Sequence, residues 1–389
     1  MIQMENIPRV LQILPNLISG GVERGTLEIA SALIKNNYQA FVCSWGGGKM
    51  INDLKHMGAK HISLPVHSKN PLNIILNIFR LKKIIKENAI NIVHARSRAP
   101  AWSCYFACKL TGAKFVTTFH GTYTADNYIK KYYNSIMLKG DKVIAISKFI
   151  YNHILKTYSI LNDKLIVINR GVDQAYFSPS LVNEQRLFSL KQNLKLSNNF
   201  LKNKKIIIMP ARFTRWKGHL YLLKIFKLLL EENFLCLMVG ASESRHKEYL
   251  KEVRLCISKY GLKDKVIITG EVKDMPALYM LADFVISASL KPEAFGRTII
   301  EAQSMGKIII ATKEGGATEE SIVDKSTGFH IPNDNEKEAS KVVLSALKLT
   351  QDKYNEITSK ALHDVKKNFS LQTMCDKTLE VYQTLLAKQ

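Results

Sequence analysis

Twelve short apolar runs, each followed by a stretch with helical spacing, constrain this chain more than anything else in it. In the first half they are PRVLQIL (8–14), YQAFVCS (38–44), KHISLP (60–65), INIVHA (90–95), AKFVTTF (113–119), DKVIAIS (141–147) and KLIVIN (164–169). After a polar interval at 176–203 the rhythm restarts with KKIIIMPA (204–211), FLCLMVG (234–240), KVIITG (265–270), DFVISAS (283–289) and KIIIAT (307–312). Such runs read as strands, and the segments between them, as at 21–35 and 72–87, repeat apolar residues with 3.6-type periodicity. Strands alternating with helices imply right-handed crossovers and a mainly parallel sheet. The expected fold class is therefore α/β, with two Rossmann-like doubly wound units. The first spans 1–178, a linker 179–203, and the second 204–369. An amphipathic helix at 370–389 is expected to pack back on the first unit.

A length of 389 residues suffices for two domains, each with its own core. No apolar run reaches the length of a spanning helix. The first residues, MIQMENIPRVLQIL, lack the basic and apolar regions of a signal peptide, so the expected location is cytoplasmic. The six cysteines form no C-x-x-C pair and read as reduced, mostly buried thiols. The formal charge is +23, and residues 1–178 carry 23 Lys and Arg against 9 Asp and Glu. That excess suits anionic membranes, nucleic acids or phosphorylated substrates, and a lysine-rich genome produces the same balance.

The chemistry is expected in the loops at the carboxyl ends of the strands, where open α/β sheets hold ligands. The segment KPEAFGRTIIEAQSMGKIIIATKEGGATEES (291–321) sets Glu293 in such a loop and Glu301 two turns into the next helix. Two carboxylates so placed can hydrogen-bond different ends of one elongated polar ligand. Between them Gly296 allows close backbone approach at a helix N-terminus suited to phosphate, and a Gly315-Gly316 pair follows. Two glutamates eight apart also recur by chance, so their company matters. That company is Arg212 and Lys217 in PARFTRWKG, cations able to bind a diphosphate and stabilise its charge as it leaves. In the first half, Gly20-Gly21 follows the first strand but matches neither G-x-G-x-x-G nor the Walker pattern. His120 and Gly121 end the fifth strand, and Arg96 and Arg98 follow the fourth; each also has a plain structural reading. No D-x-D and no zinc-spaced His/Cys cluster occurs, so no metal or cofactor is expected.

In this order and at these strand ends, the Gly-Gly loop, T-F-H-G, A-R-x-x-x-x-K-G, P-E-A-F-G-R-x-x-x-E-A and E-G-G-A resemble the retaining GT-B enzymes of glycosyltransferase family 4. The resemblance implies two Rossmann-like domains facing across a cleft, with a nucleotide-sugar donor, UDP- or GDP-linked, held mainly by the second. It implies that Arg212 and Lys217 grip the donor diphosphate, Glu301 the ribose and Glu293 the sugar ring. Phe295, Gly296 and Arg297 would offer backbone N–H groups, Gly20 and Gly21 would border the phosphate, and His120 would face the transferred sugar. Same-face attack, with the leaving phosphate oxygen taking the acceptor proton, needs no side chain as base. The basic loop departs from the commoner G-R opening and lacks the Pro before Lys217. The E-A-F-G-R-T-I-I-E-A-Q-S-M-G and H-A-R-S-R-A-P-A-W segments resemble members that build lipopolysaccharide, which makes Arg96 and Arg98 expected ligands of an acceptor phosphate or carboxylate.

The implied acceptor is a lipopolysaccharide-core, lipid-linked or other envelope glycan. NPLNIILNIFRLKKIIKEN (70–88) and YIKKYY (128–133) mix apolar residues with lysines and suit an anionic inner leaflet, although the first also reads as a helix packing on the sheet. Two alternatives stay open: a GT-B epimerase or phosphorylase, and a basic nucleic-acid- or membrane-binding protein without catalysis. No nucleic-acid module is visible, so nucleic acid is not an expected partner.

Overall fold

The computed structural model describes residues 7–18, 20–123, 125–158, 162–241, 247–314 and 316–387. Gly315 of the expected glycine pair and the last two residues of the closing helix lie outside them. The chain forms two compact units, Met1–Arg170 with Leu371–Gln389, and Gly171–Ser370.

In the first unit the strands are β1 (Arg9–Ile13), β2 (Gln39–Ser44), β3 (Lys60–Ser63), β4 (Ile92–Ala95), β5 (Lys114–Phe119), β6 (Lys142–Ala145) and β7 (Leu165–Val167). They pair in parallel in the order β3-β2-β1-β4-β5-β6-β7. The central strands are mostly apolar and almost wholly buried, as in a parallel sheet with helices on both faces. In β1, Val10, Leu11 and Ile13 are wholly buried, and so is Gln12. A buried polar side chain in the middle strand must be hydrogen-bonded, and it marks where the site lies. The strand order reverses between β1 and β4, and ligands bind outside the carboxyl ends of strands at such a switch point.

In the second unit β8 (Lys205–Pro210), β9 (Phe234–Val239), β10 (Val266–Gly270), β11 (Phe284–Ser287), β12 (Ile308–Thr312) and β13 (Phe329–Ile331) run parallel in the order β10-β9-β8-β11-β12-β13. Their switch point lies between β8 and β11. The edge strand β13 was not among the twelve apolar runs, since only Phe329 and Ile331 of its three residues are apolar and buried.

The expected linker at 179–203 is instead part of the second unit. Asn183 caps the helix Glu184–Asn193 through the Arg186 N–H, and Arg186 grips Asp274 with two bonds of 2.9 and 2.6 Å. That contact holds the Asp274 carboxyl below its usual range. Only Val182, Leu190 and Leu196 of the interval are buried, too sparse a pattern to show in a polar sequence. The first unit likewise ends at Arg170, eight residues before the expected boundary. The last helix, Leu371–Leu386, groups with the first unit. Met374, Cys375, Leu379, Tyr382 and Leu385 recur on one buried face and join the core cluster that contains Ile29 and Leu33 of the helix Gly21–Lys35.

Candidate active site

In the second unit the basic loop follows β8 and the carboxylate loop follows β11, one on each side of the switch point. They are tied together by the Leu290 N–H, which donates to the Trp216 carbonyl at 2.7 Å. Gly218, at φ 76°, makes the approach possible: a Cβ there would fall 1.8 Å from the Ala288 carbonyl oxygen. Lys217 is ion-paired with Glu293, and the Ser289 hydroxyl donates to the same carboxylate oxygen, Oε1, at 2.6 Å. The Lys217 ammonium also lies 4.2 Å from the centre of the Trp216 ring. The backbone of Glu293 bridges to Gly316, and its carbonyl accepts from the Ala317 N–H at 3.0 Å. The carboxylate loop is thereby braced from both sides.

Glu301 sits in the helix Arg297–Ser304, whose N-cap is Gly296. Its Oε2 accepts from the buried Tyr279 hydroxyl at 3.0 Å, and its Oε1 lies 3.7 Å from Arg297 Nε. The Phe295 side chain is core, packed on Phe369 with centroids 5.9 Å apart. Arg212, Thr214 and Trp216, with Tyr249, Leu290 and Lys291, line a cavity of about 810 Å3, a size typical of small-molecule sites. Arg215 also lines it and pairs with Glu252 at 2.6 Å. Ser289 and Tyr279 were not read as site residues in the sequence, because Ser and Tyr in apolar surroundings carry no spacing signal.

In the first unit Arg96, buried at the end of β4, donates to Gln12 Oε1 at 2.9 Å, and Gln12 donates to the Thr26 carbonyl at 3.0 Å. Arg170, also buried, donates from Nη2 to His120 Nδ1 at 2.9 Å. Arginine has no acceptor, so His120 Nδ1 accepts and the ring proton is on Nε2. Burial, then Arg170, Arg96 and His94, push the His120 pKa well below the usual histidine value. His94 is lowered in the same way by burial, Arg96 and Arg170, and it contacts Tyr382 at 2.6 Å and Thr118 at 2.7 Å. Both imidazoles are neutral at pH 7. A Cβ on Gly25 would lie 2.1 Å from Arg170 Nη1 and 3.1 Å from Arg96 Nη2, so both guanidiniums converge on the first helix and need glycine there. Gly20 is the N-cap of that helix and Gly21 its first residue. Burial raises the Glu23 pKa, opposed in part by its backbone bond and by Arg170 and Arg96.

Arg98 has other partners: Asn134 accepts its Nη1 at 2.7 Å, and the guanidinium lies 4.1 Å from the centre of the Tyr123 ring. Arg170 is the residue that the sequence reading missed. It follows the last and shortest strand of the sheet, and only the fold brings it to His120. Among the described residues no group of three or more His, Cys, Asp or Glu is placed to hold a metal ion.

Comparison with known proteins agrees with this division. Glycosyltransferase Family 4 matches residues 19–176, and Glycosyl transferases group 1 matches residues 191–364. A solved glycosyltransferase from Rickettsia africae ESF-5 is 43% identical, with a TM-score of 0.91 over 99% of this chain and all of that one. Anabaena HepE, solved in complex with UDP and glucose, shares the fold at 19% identity, with a TM-score of 0.82 over 96% of this chain and 99% of its own. A lipopolysaccharide 1,2-N-acetylglucosaminetransferase of Salmonella typhimurium is 34% identical over 148 residues, which are 36% of this chain and 38% of that enzyme. Matched along its whole length by the Rickettsia enzyme, the chain belongs to the glycosyltransferases of GT-B type, a family 4-like domain leading and a group 1 domain following.

Proposed function

We propose that this enzyme is a retaining, metal-independent glycosyltransferase that moves a hexose or N-acetylhexosamine from a UDP- or GDP-linked sugar to a lipopolysaccharide-core, lipid-linked or other envelope glycan. The observation that carries the reading is the Lys217–Glu293–Ser289 group at the switch point of the second sheet, with Arg212 in the same loop as Lys217 and Glu301 in the helix that follows Glu293. Two cations and two carboxylates on braced loops match the two ends of a nucleotide-diphosphate sugar. The UDP and glucose bound to HepE support the donor class, and the Salmonella enzyme supports the acceptor class.

Arg212 and Lys217 hold the diphosphate and stabilise the charge that gathers on it as the bond from phosphate oxygen to sugar C1 breaks. Fixed cations in a water-poor site do this without reorganisation. Glu301 accepts the ribose hydroxyls, and Glu293, held by Lys217 and Ser289, orients the sugar ring. The acceptor hydroxyl attacks C1 from the face that the phosphate leaves, and its proton passes to the departing phosphate oxygen. The products are a glycoside of retained configuration and the nucleoside diphosphate. His120, neutral with its proton on Nε2, supplies a hydrogen-bond donor to the sugar and no base. Arg96 takes an anionic group of the acceptor.

The test is calorimetry of the full chain with UDP, GDP, ADP and CMP in EDTA, followed by donor turnover with and without glycan acceptors. One nucleoside diphosphate should bind at micromolar strength, and binding should weaken in Glu301→Ala. Nucleotide release that is unchanged by any acceptor would instead indicate an epimerase or hydrolase.

A further inference from the structure

The helix Pro71–Glu87 carries two apolar stripes where a surface helix normally has one. Asn77, Leu81 and Ile85 are buried against the rest of the first unit. On the opposite side Leu72, Ile75, Leu76 and Phe79 are exposed, Leu72 to 70%. The outer stripe continues at the same helical spacing into Lys83 and Lys86, both exposed. A second exposed group lies on the helix Tyr128–Ser135, where Tyr128 is 82% and Ile129 78% exposed and Tyr132 is exposed beside Lys130 and Lys131.

The helix Arg98–Thr111 joins the two. Its Ser103 hydroxyl donates to the Ile74 carbonyl at 3.0 Å, and its Trp102 ring N–H donates to the Tyr133 carbonyl at 3.2 Å. Two adjacent residues thus bind one helix on each side. Trp102 also packs on Tyr132, with centroids 5.6 Å apart. The two helices that carry the exposed apolar side chains are therefore both fixed to the same helix of the first unit. The same segments carry the exposed basic residues Arg80, Lys83, Lys86, Lys130 and Lys131; Lys83 lies 3.7 Å from Glu87 and Lys130 2.9 Å from Asp126, which leaves a positive excess.

We propose that this face docks the enzyme on an anionic phospholipid bilayer, with the apolar residues and tyrosines entering the headgroup layer and the lysines lying over it. The chemistry is that of an interfacial helix: apolar burial together with attraction of basic side chains to anionic lipid. Tyrosine is at home at that depth. A membrane is favoured over a second copy of the chain because another copy would bring the same positive rim against this one. Among the described residues no helix is long and apolar enough to cross a membrane, so docking here is from one side. The proposal does not depend on the donor site, and nucleotide binding reads that site separately.

The test is co-sedimentation of the full chain with phosphatidylcholine vesicles with and without phosphatidylglycerol, at low and high salt. Binding is expected on the anionic vesicles, with loss at high salt. Each basic residue near the surface multiplies partitioning about fivefold, so Lys130→Glu with Lys131→Glu should weaken it by at least about 25-fold. Phe79→Ser with Ile129→Ser should weaken it by about tenfold. All four positions are solvent-exposed, so both variants should keep the wild-type melting transition and nucleotide binding. Equal binding to neutral and anionic vesicles, no binding at all, or variants that bind like wild type would overturn the proposal. So would a dimer in sedimentation equilibrium that the Phe79→Ser/Ile129→Ser variant abolishes.

Discussion

The two units place cations after the strands that flank their switch points and bond them to different side chains. In the second unit the partners are carboxylates: Glu293 takes Lys217, and Glu301 lies beside Arg297. In the first, Arg96 bonds an amide and Arg170 an imidazole. Paired cations are aimed but still charge-balanced, which suits a site that must exchange one anionic ligand for another. In the first unit burial, and after it the guanidiniums of Arg96 and Arg170, holds His94 and His120 uncharged. Under the function proposed above, the second unit supplies charge stabilisation and the first supplies orientation.

The sharpest way to break this comparison is Lys217→Ala, which should lower kcat by about 100-fold or more, with Arg212→Ala similar. Wild-type rates in both would remove the assignment of charge stabilisation to this loop. Next is the pair of glycines. Gly218→Ala drives a Cβ into a backbone carbonyl at a positive φ, and thermal unfolding should show a loss of about 2 kcal/mol or more. Gly25→Ala meets the end of an arginine side chain, so it should cost less stability and mainly displace Arg170.

Arg170→Met tests the field of the first unit directly. Without the guanidinium the His120 pKa should rise toward its ordinary value, read as an NMR titration that moves to higher pH. An unmoved titration would mean that burial alone holds the ring neutral. Acid stability follows from the same shifts. A histidine whose folded pKa is lowered contributes stability fully above its unfolded value near 6.5, and this is lost as pH falls toward the folded value. His219 in the second unit, pushed down to about 4 by burial first, should lose its contribution between those limits. The first unit has four such rings, His61, His94, His120 and His153, so its melting transition should fall faster below pH 6.5. The smallest effect is expected of Arg98→Ala, about 1 kcal/mol from its contact with Tyr123 and no change in turnover.

The sequence by itself determined the alternation of strands and helices, and with it two parallel sheets. A buried parallel strand must be mainly apolar, and its crossover helix must be amphipathic, so both are written locally. It also singled out Arg212, Lys217 and Glu293 in loops after apolar runs and Glu301 in the helix that follows, through the order of their motifs and its resemblance to a known family and not through any one spacing. Only the tertiary structure decided that Lys217 meets Glu293 across 76 positions of chain, that Arg170 reaches His120 across 50, and that Tyr382 reaches His94 across 288. Such contacts depend on strand order, which a local pattern does not carry. The segment 179–203 shows the same limit: three buried residues and one ion pair to Asp274 make it part of a domain, and neither is visible as periodicity. The outer stripe of the helix Pro71–Glu87 was legible as apolar residues, but whether they faced core or solvent was settled only by which side of that helix the sheet took.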